Sequence, residues 1–324
     1  MESCDDRPQN NWCGSSPDLL TSGPYLKQYS MSLPVVLSVL LTLQAYGMQR
    51  QTEVKFGLFA DSQYCDIAAA GSRYYRQSLQ KLRNCVDTLN REAGLQFTVG
   101  LGDLIDRDLA SFDEVTAILQ QSVVPVFQVA GNHDFSVTPD ERPLVASKLG
   151  LQKTGYQFTA GDWQFVFLDG NDVSLHAPDS ASANRAAGLL ARLKAENRPN
   201  AQTWNGAVGS AQLRWLDETL HEAAQAGRKV ILFCHYPLLP FENHTLWNSE
   251  EVLRVIEAYG CVKACFSGHN HAGNYAWHKG VHHVNLKGMV ETAGENAFAV
   301  VTLTADQIRI RGFGREPSQT LPIE

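Results

Sequence analysis

Five short segments of this chain each set carboxylate, amide or imidazole side chains directly behind an apolar run. Asp61, Ser62 and Gln63 follow 54–60; Gly102, Asp103 and Asp106 follow 97–101; Gly131, Asn132, His133 and Asp134 follow 123–129; His235 follows 229–234; Gly268, His269, Asn270 and His271 follow 262–266. Carboxylates, neutral imidazoles and amide oxygens are ligands for borderline divalent ions such as manganese, iron or zinc, and no thiolate is required beside them. Taken singly, an Asp after a strand is an ordinary turn residue and a His an ordinary hydrogen-bonding side chain. Together, each at the C-terminal end of a strand-like run, they predict one binuclear site, because ligands of open α/β sheets bind in the crevice beyond those ends. One carboxylate must bridge two ions held roughly 3.5–4 Å apart, so that attacking and leaving oxygens are both stabilised, and Asp103 is the residue chosen for it. Gly102, Gly131 and Gly268 suit the sharp turns where backbone approaches ions or phosphate closely.

The elements that position these residues are legible from the apolar pattern. Strand-like runs recur at 54–60, 97–101, 123–129, 156–160, 163–168, 229–234, 262–266, 281–286, 297–303 and 307–312. Helical patterns occupy 72–92, 111–121, 140–149, 210–225 and 249–258. Alternating strand and helix predicts an α/β fold with covered sheets. From about residue 281 the strands are separated by short turns, which predicts a partly antiparallel second sheet. The stretch 170–209, dense in Ala, Asn, Ser and Gly, reads as a long insertion of the kind that forms binding loops or lids.

The five segments in this order resemble the signature of the calcineurin-like metallophosphoesterases, over roughly 54–315. That resemblance implies a metallophosphoesterase fold, a β-sandwich of two mixed sheets flanked by helices. It implies that Asp61, Gln63 and His271 hold one ion, Asn132, His235 and His269 the other, and that Asp103 bridges. His133 is then the residue that protonates the leaving oxygen or stabilises its charge, oriented by Asp134. Most members have a histidine where this chain has Gln63. An amide oxygen is a harder, weaker ligand, which favours manganese, with zinc or iron as the other candidates.

Gln63 also marks a subfamily. Stretches at 56–64, 73–79, 204–206, 212–216, 280–283 and 290–292 are similar to those of the manganese-dependent ADP-ribose/CDP-alcohol diphosphatases. This resemblance implies a small nucleotide-type substrate, hydrolysed at its diphosphate to a nucleoside monophosphate and a phosphorylated alcohol or sugar. The alternative is a broad-specificity phosphodiesterase or phosphomonoesterase, and a third reading is a non-catalytic scaffold on the same fold. For a diphosphate substrate, Arg73 and Arg76 near a helix start are candidates to meet the second phosphate, and Tyr74, Tyr75 or Trp204 to stack on a base. Trp247, Asn248 and His282 are weaker candidates. His282 and His283 are adjacent in a strand, so at most one of them faces the site.

A net charge of -7 and a pI near 5.8 exclude a general binder of nucleic acid or anionic membrane, since no basic surplus exists to neutralise many phosphates. The first 47 residues read as an N-terminal extension, with the catalytic domain at 48–324. Within that extension, Lys27, the apolar run 33–43 and the small residues Ala45 and Gly47 have the order of a secretory signal, with Met31 as a candidate start. The run is too short for a stable membrane span. Export to the periplasm or beyond the cell is expected if 33–47 is a signal, and a cytoplasmic location otherwise. Seven cysteines without C-x-x-C spacing do not form a disulfide framework, and Cys261 and Cys265 read as packing residues.

Overall fold

The computed structural model describes residues 53–151 and 155–323. The signal-like segment and the boundary at 47/48 lie outside them. No helix among the described residues is long and apolar enough to cross a membrane.

Two six-stranded mixed sheets face each other. In the first, β1 (Val54–Phe59) runs parallel to β2 (Phe97–Gly100), and β2 to β3 (Val126–Gln128). In the second, β4 (Gly155–Ala160) is antiparallel to β5 (Trp163–Leu168) at one edge. Two further strands, β6 (Val173–Ser174) and β7 (Gly206–Ala207), pair with each other in a separate two-stranded sheet. The second sheet continues in parallel through β8 (Lys229–Cys234) and β9 (Val262–Ser267). Its far edge is a hairpin of β10 (Asn274–His278) and β11 (Val281–Asn285), in which β11 is parallel to β9. The chain then returns to the first sheet, where β12 (Ala297–Leu303), β13 (Gln307–Gly314) and β14 (Gln319–Pro322) add antiparallel beside β1.

Both faces of the inner strands are buried, which is why they read as nearly continuous apolar runs. In β1, Phe56 and Leu58 point between the sheets while Phe59 points outward. The inner layer is aromatic: Phe56 stacks on Phe97 at 5.1 Å and meets Phe165, Phe233 and Phe266 edge-on. Helices α1 (Tyr75–Leu89), α2 (Ser111–Leu119) and α3 (Arg142–Lys148) supply the layer outside the first sheet, through residues such as Leu82, Val86, Val115 and Val145.

The segment expected to be a loop contains a helix, α4 (Ser180–Ala195), capped by the Asp179 carboxylate accepting from the Ser182 amide. Ala186, Leu190 and Leu193 bury one narrow face of it with Val173 and Trp247, in a satellite core of its own. That stripe is easily lost in an Ala- and Ser-rich sequence. Helices α5 (Ser210–Gln225) and α6 (Ser249–Glu257) then cover the outer face of the second sheet. All ten predicted strand runs form strands. The partly antiparallel second sheet expected from residue 281 is corrected: β12 to β14 add antiparallel to the first sheet beside β1, while β11 joins the second sheet parallel to β9 and antiparallel to β10. Four strands were not anticipated: β6, β7, β10 and β14 are short or carry mixed polarity.

Candidate metal centre

The parallel strands β1, β2 and β3 of one sheet and β8 and β9 of the other end at a common rim. There the chain places Asp61 and Gln63, then Asp103, then Asn132 and His133, then His235, and finally His269 and His271. Asp61, Gln63, Asp103 and His269 all have positive φ, at 53, 42, 55 and 70 degrees. Left-handed backbone costs a non-glycine residue roughly 1–2 kcal/mol, so four such residues at one rim mark strain held by their surroundings. Backbone bonds hold it: Asp61 N donates to Gly102 O at 3.1 Å, Gln63 N to Asp103 O at 2.8 Å, and Gly268 N to His235 O at 2.9 Å. Two glycines leave room for the carboxylates. A Cβ on Gly131 would lie 2.1 Å from Asp103 Oδ1, and one on Gly268 2.6 Å from Asp61 Oδ2.

Electron-pair donors converge here. His235 Nδ1 donates to Leu101 O at 2.7 Å, which turns Nε2 toward Asp103 Oδ2 and Asn132 Oδ1, each 3.3 Å away. His271 Nδ1 donates to Glu291 Oε1 at 2.7 Å and turns Nε2 to Asp61 Oδ1 at 3.4 Å. Asp103, His235 and His269 each offer a ligand atom within 4.8 Å of the others. Gln63 Nε2 lies 3.0 Å from Asp103 Oδ2 and 3.1 Å from His271 Nε2, while its Oε1 is buried without a hydrogen-bond partner among the described residues. Rotating that amide by half a turn brings the oxygen into the donor cluster. Imidazole lone pairs, carboxylates and amide oxygens facing one another need positive charge between them, and the set fits divalent ions.

The electrostatics agree. Burial alone would depress His235 and His271, but Asp103 raises the first to about 9, and Asp61, with Glu291, raises the second to about 9. The hydrogen bond from His271, against opposing burial, holds the Glu291 carboxyl down at about 2. His269 behaves oppositely, pushed well below its ordinary value by burial and by His235.

His133 stands beside this cluster, its amide donating to Asp103 Oδ1 at 2.7 Å. Its Nδ1 bonds Asp106 Oδ1 at 3.0 Å and its Nε2 lies 3.3 Å from Arg73 Nη1. The expectation that Asp134 orients His133 is therefore corrected. The Asp134 carboxylate is fully buried and accepts instead from the amides of Asp103, Leu104, Ile105 and Gly131, at 2.8–3.2 Å. It ties two of the five loops together, and its adjacency to His133 in sequence does not bring the side chains together. Burial pushes the Asp106 carboxyl up, but the hydrogen bond and charge of His133 outweigh this and hold it below the ordinary range.

A cleft of about 480 Å³ opens over the cluster, lined by Gln63, Asp103, Asn132, His133, His269 and His271, and also by Arg73, Ser136, His176, Trp204 and His244. Of the expected substrate contacts, Arg73 and Trp204 line it. Arg76 and Tyr74 do not: Arg76 pairs with Asp66 at 2.5 Å, and Tyr74 precedes α1 with its amide bonded to Val290 O. Trp247 is buried and donates to Gln202 O, Asn248 braces Val208, and His282 bonds Pro322 O and Tyr275. Three partners of the site histidines had no role of their own in the sequence analysis: Asp106, Asn205, whose Oδ1 lies 2.8 Å from His269 Nε2, and Glu291. Each stood inside or next to a stretch already singled out.

The family model for calcineurin-like phosphoesterases matches residues 54–273. A manganese-dependent ADP-ribose/CDP-alcohol diphosphatase of Arabidopsis thaliana is 31% identical over 303 residues, covering 83% of this chain and 97% of its own. The human protein of the same name is 29% identical, covering 82% and 92%. Among solved structures, a dimetal phosphatase from Danio rerio superimposes with a TM-score of 0.76 at 29% identity, covering 84% of this chain and 99% of that one.

Proposed function

Since the chain belongs to the calcineurin-like phosphoesterases and is a hydrolase of that family, we propose that it cleaves the diphosphate of nucleoside diphosphate-linked alcohols or sugars, of the ADP-ribose and CDP-choline type. The products are a nucleoside monophosphate and a phosphorylated alcohol. The observation that carries this reading is the joining, in one cleft, of a donor set for two divalent ions with an arginine and an exposed tryptophan. Arg73 offers a charge for a second phosphate, and Trp204, 40% exposed, offers a face for a base.

In this reading Asp61, Gln63 and His271 would hold one ion, Asn132, His235 and His269 the other, and Asp103 would be shared by both, with manganese preferred because Gln63 would supply an amide oxygen. Such ions, when bound, neutralise phosphoryl oxygens and acidify water. The remaining work belongs to side chains. Asp106 fixes the His133 ring through Nδ1, which leaves Nε2 facing the cleft to carry a proton to the leaving oxygen. Arg73, 3.3 Å from that nitrogen and on the wall of the cleft, is placed to meet a phosphate there. Gly131 and Gly268 leave the Asp103 and Asp61 carboxylates the space that a Cβ at either position would take.

Kinetic constants for ADP-ribose, CDP-choline and a simple phosphomonoester, measured with Mn²⁺, test the proposal. It predicts a clear preference for the two diphosphates. Turnover of the monoester alone rejects it.

A further inference from the structure

Each of the three clustered histidines has one ring nitrogen committed to the protein, but not the same one. His235 and His271 are held through Nδ1, by Leu101 O and Glu291 Oε1, whereas His269 is held through Nε2, by Asn205 Oδ1 at 2.8 Å. The geometry points to Asn205 as a positioning residue that locks His269 in its Nε2–H tautomer and so presents Nδ1 to the ion shared with Asp103, Asn132 and His235. This rests on the ligand assignment above.

The direction of the Asn205 amide is fixed independently of the histidine. Asn205 is fully buried, and its Nδ2 lies 3.0 Å from Asn200 O and 2.8 Å from Asn243 O. Only the NH₂ end can donate to two carbonyls, so the end facing His269 is the oxygen, which only accepts. The Nε2 atom must therefore carry the ring's hydrogen. A ring that offers a lone pair to an ion is neutral and has a single N–H. Its Nδ1 then holds the free lone pair. The backbone is pinned as well, with His269 N directed at both Asp61 oxygens, at 3.2 and 3.1 Å.

Asn205 lies outside the five segments, in the lobe built around α4. It is followed by Gly206, whose carbonyl accepts from Trp247 N at 2.8 Å and where a Cβ would strike Gly170 O at 2.2 Å. It is preceded by Trp204 on the cleft wall. One short stretch thus places a substrate-facing ring and the support of a candidate ligand on consecutive residues. An outer partner of this kind matters to the ion because it fixes which ring nitrogen is offered and in what direction.

The test uses the full chain. Long-range ¹H–¹⁵N spectra of the imidazoles, recorded without added metal and assigned with His269→Gln, are expected to show His269 as the Nε2–H tautomer; an Nδ1–H signal overturns the proposal without any Asn205 variant. Manganese titrations followed by electron paramagnetic resonance then compare variants. Asn205→Leu should weaken one of two ions by roughly 10- to 100-fold. Asn205→Asp keeps the acceptor while losing both donated bonds, so it should lower the melting temperature yet bind both ions nearly as the parent does. Equal loss of ion binding in the two variants, or none in Asn205→Leu, contradicts the role given to Asn205. A parent chain that takes up no second ion rejects the ligand assignment itself.

Discussion

Asp106 is the residue at which geometry and sequence adjacency disagree, and it offers a sharp perturbation. Asp106→Asn preserves shape, and the residue's backbone amide still donates to Tyr64 O at 2.9 Å. What changes is the 3.0 Å contact to His133 Nδ1, where a carboxylate becomes a neutral amide, together with the looser 3.4 Å pairing of Oδ2 with the half-exposed Arg107. A hydrogen bond to a charged group is worth roughly 1.5–3 kcal/mol, so kcat for ADP-ribose should fall roughly 10- to 150-fold. Removing the imidazole with His133→Ala should cost more, roughly 10²- to 10⁴-fold. Because Asp106 is argued to act through His133, introducing Asp106→Asn into the His133→Ala background should cost less than about threefold further. Steady-state kinetics at saturating manganese on the two singles and the double close the cycle. Full additivity refutes the reasoning, since Asp106 would then act on something other than His133. Asp134→Asn is the companion variant: it turns an acceptor of four amides into a group with one accepting end, and each stranded donor costs roughly 1–3 kcal/mol, so its main effect should be on melting temperature.

Other outcomes follow from the same geometry. Gln63→His should shift metal retention on purification from manganese toward zinc or iron, read by elemental analysis; an unchanged metal profile contradicts the weight placed on the amide oxygen. Trp204→Ala should raise KM for nucleotide substrates by about 1–3 kcal/mol of lost stacking while leaving phenyl phosphate turnover nearly intact, and equal effects on both would remove the base from that wall. Glu316, buried and accepting from Lys287 N at 2.8 Å, is pushed by that burial from an ordinary 4.5 up to about 7. Between those values the native state binds more protons than the unfolded state, so stability should fall as pH rises through the window. Glu316→Gln should abolish that slope and stabilise the protein at pH 8, by on the order of 3 kcal/mol in denaturant titrations; a slope that persists in the variant assigns it elsewhere.

The fold and the candidate ligands were legible for the same reason. Strands buried on both faces leave apolar runs, and polar residues directly behind such runs have nowhere to go but the rim. The partners of those residues were not legible. Asp134 is adjacent to His133 in sequence, yet the short 3-10 turn at His133–Phe135 sends its carboxylate inward to backbone amides. Asp106, Asn205 and Glu291 reach their histidines across separations of 27, 64 and 20 residues, which no local pattern encodes. Arg73 and Arg76 looked equivalent at a helix start. In the fold only Arg73 faces the cleft, because Asp66 draws Arg76 away. The lobe around α4 was read as loop because its buried stripe is only Ala186, Leu190 and Leu193 wide.

The most direct measurement of the central claim is a phosphorus NMR time course of the purified protein with ADP-ribose in ¹⁸O-enriched water, with and without Mn²⁺. The account predicts manganese-dependent loss of the diphosphate signals, equal gains of AMP and ribose 5-phosphate, and one ¹⁸O entering one of the two products per cleavage. Persistence of the diphosphate signals, or release of inorganic phosphate in their place, would contradict it.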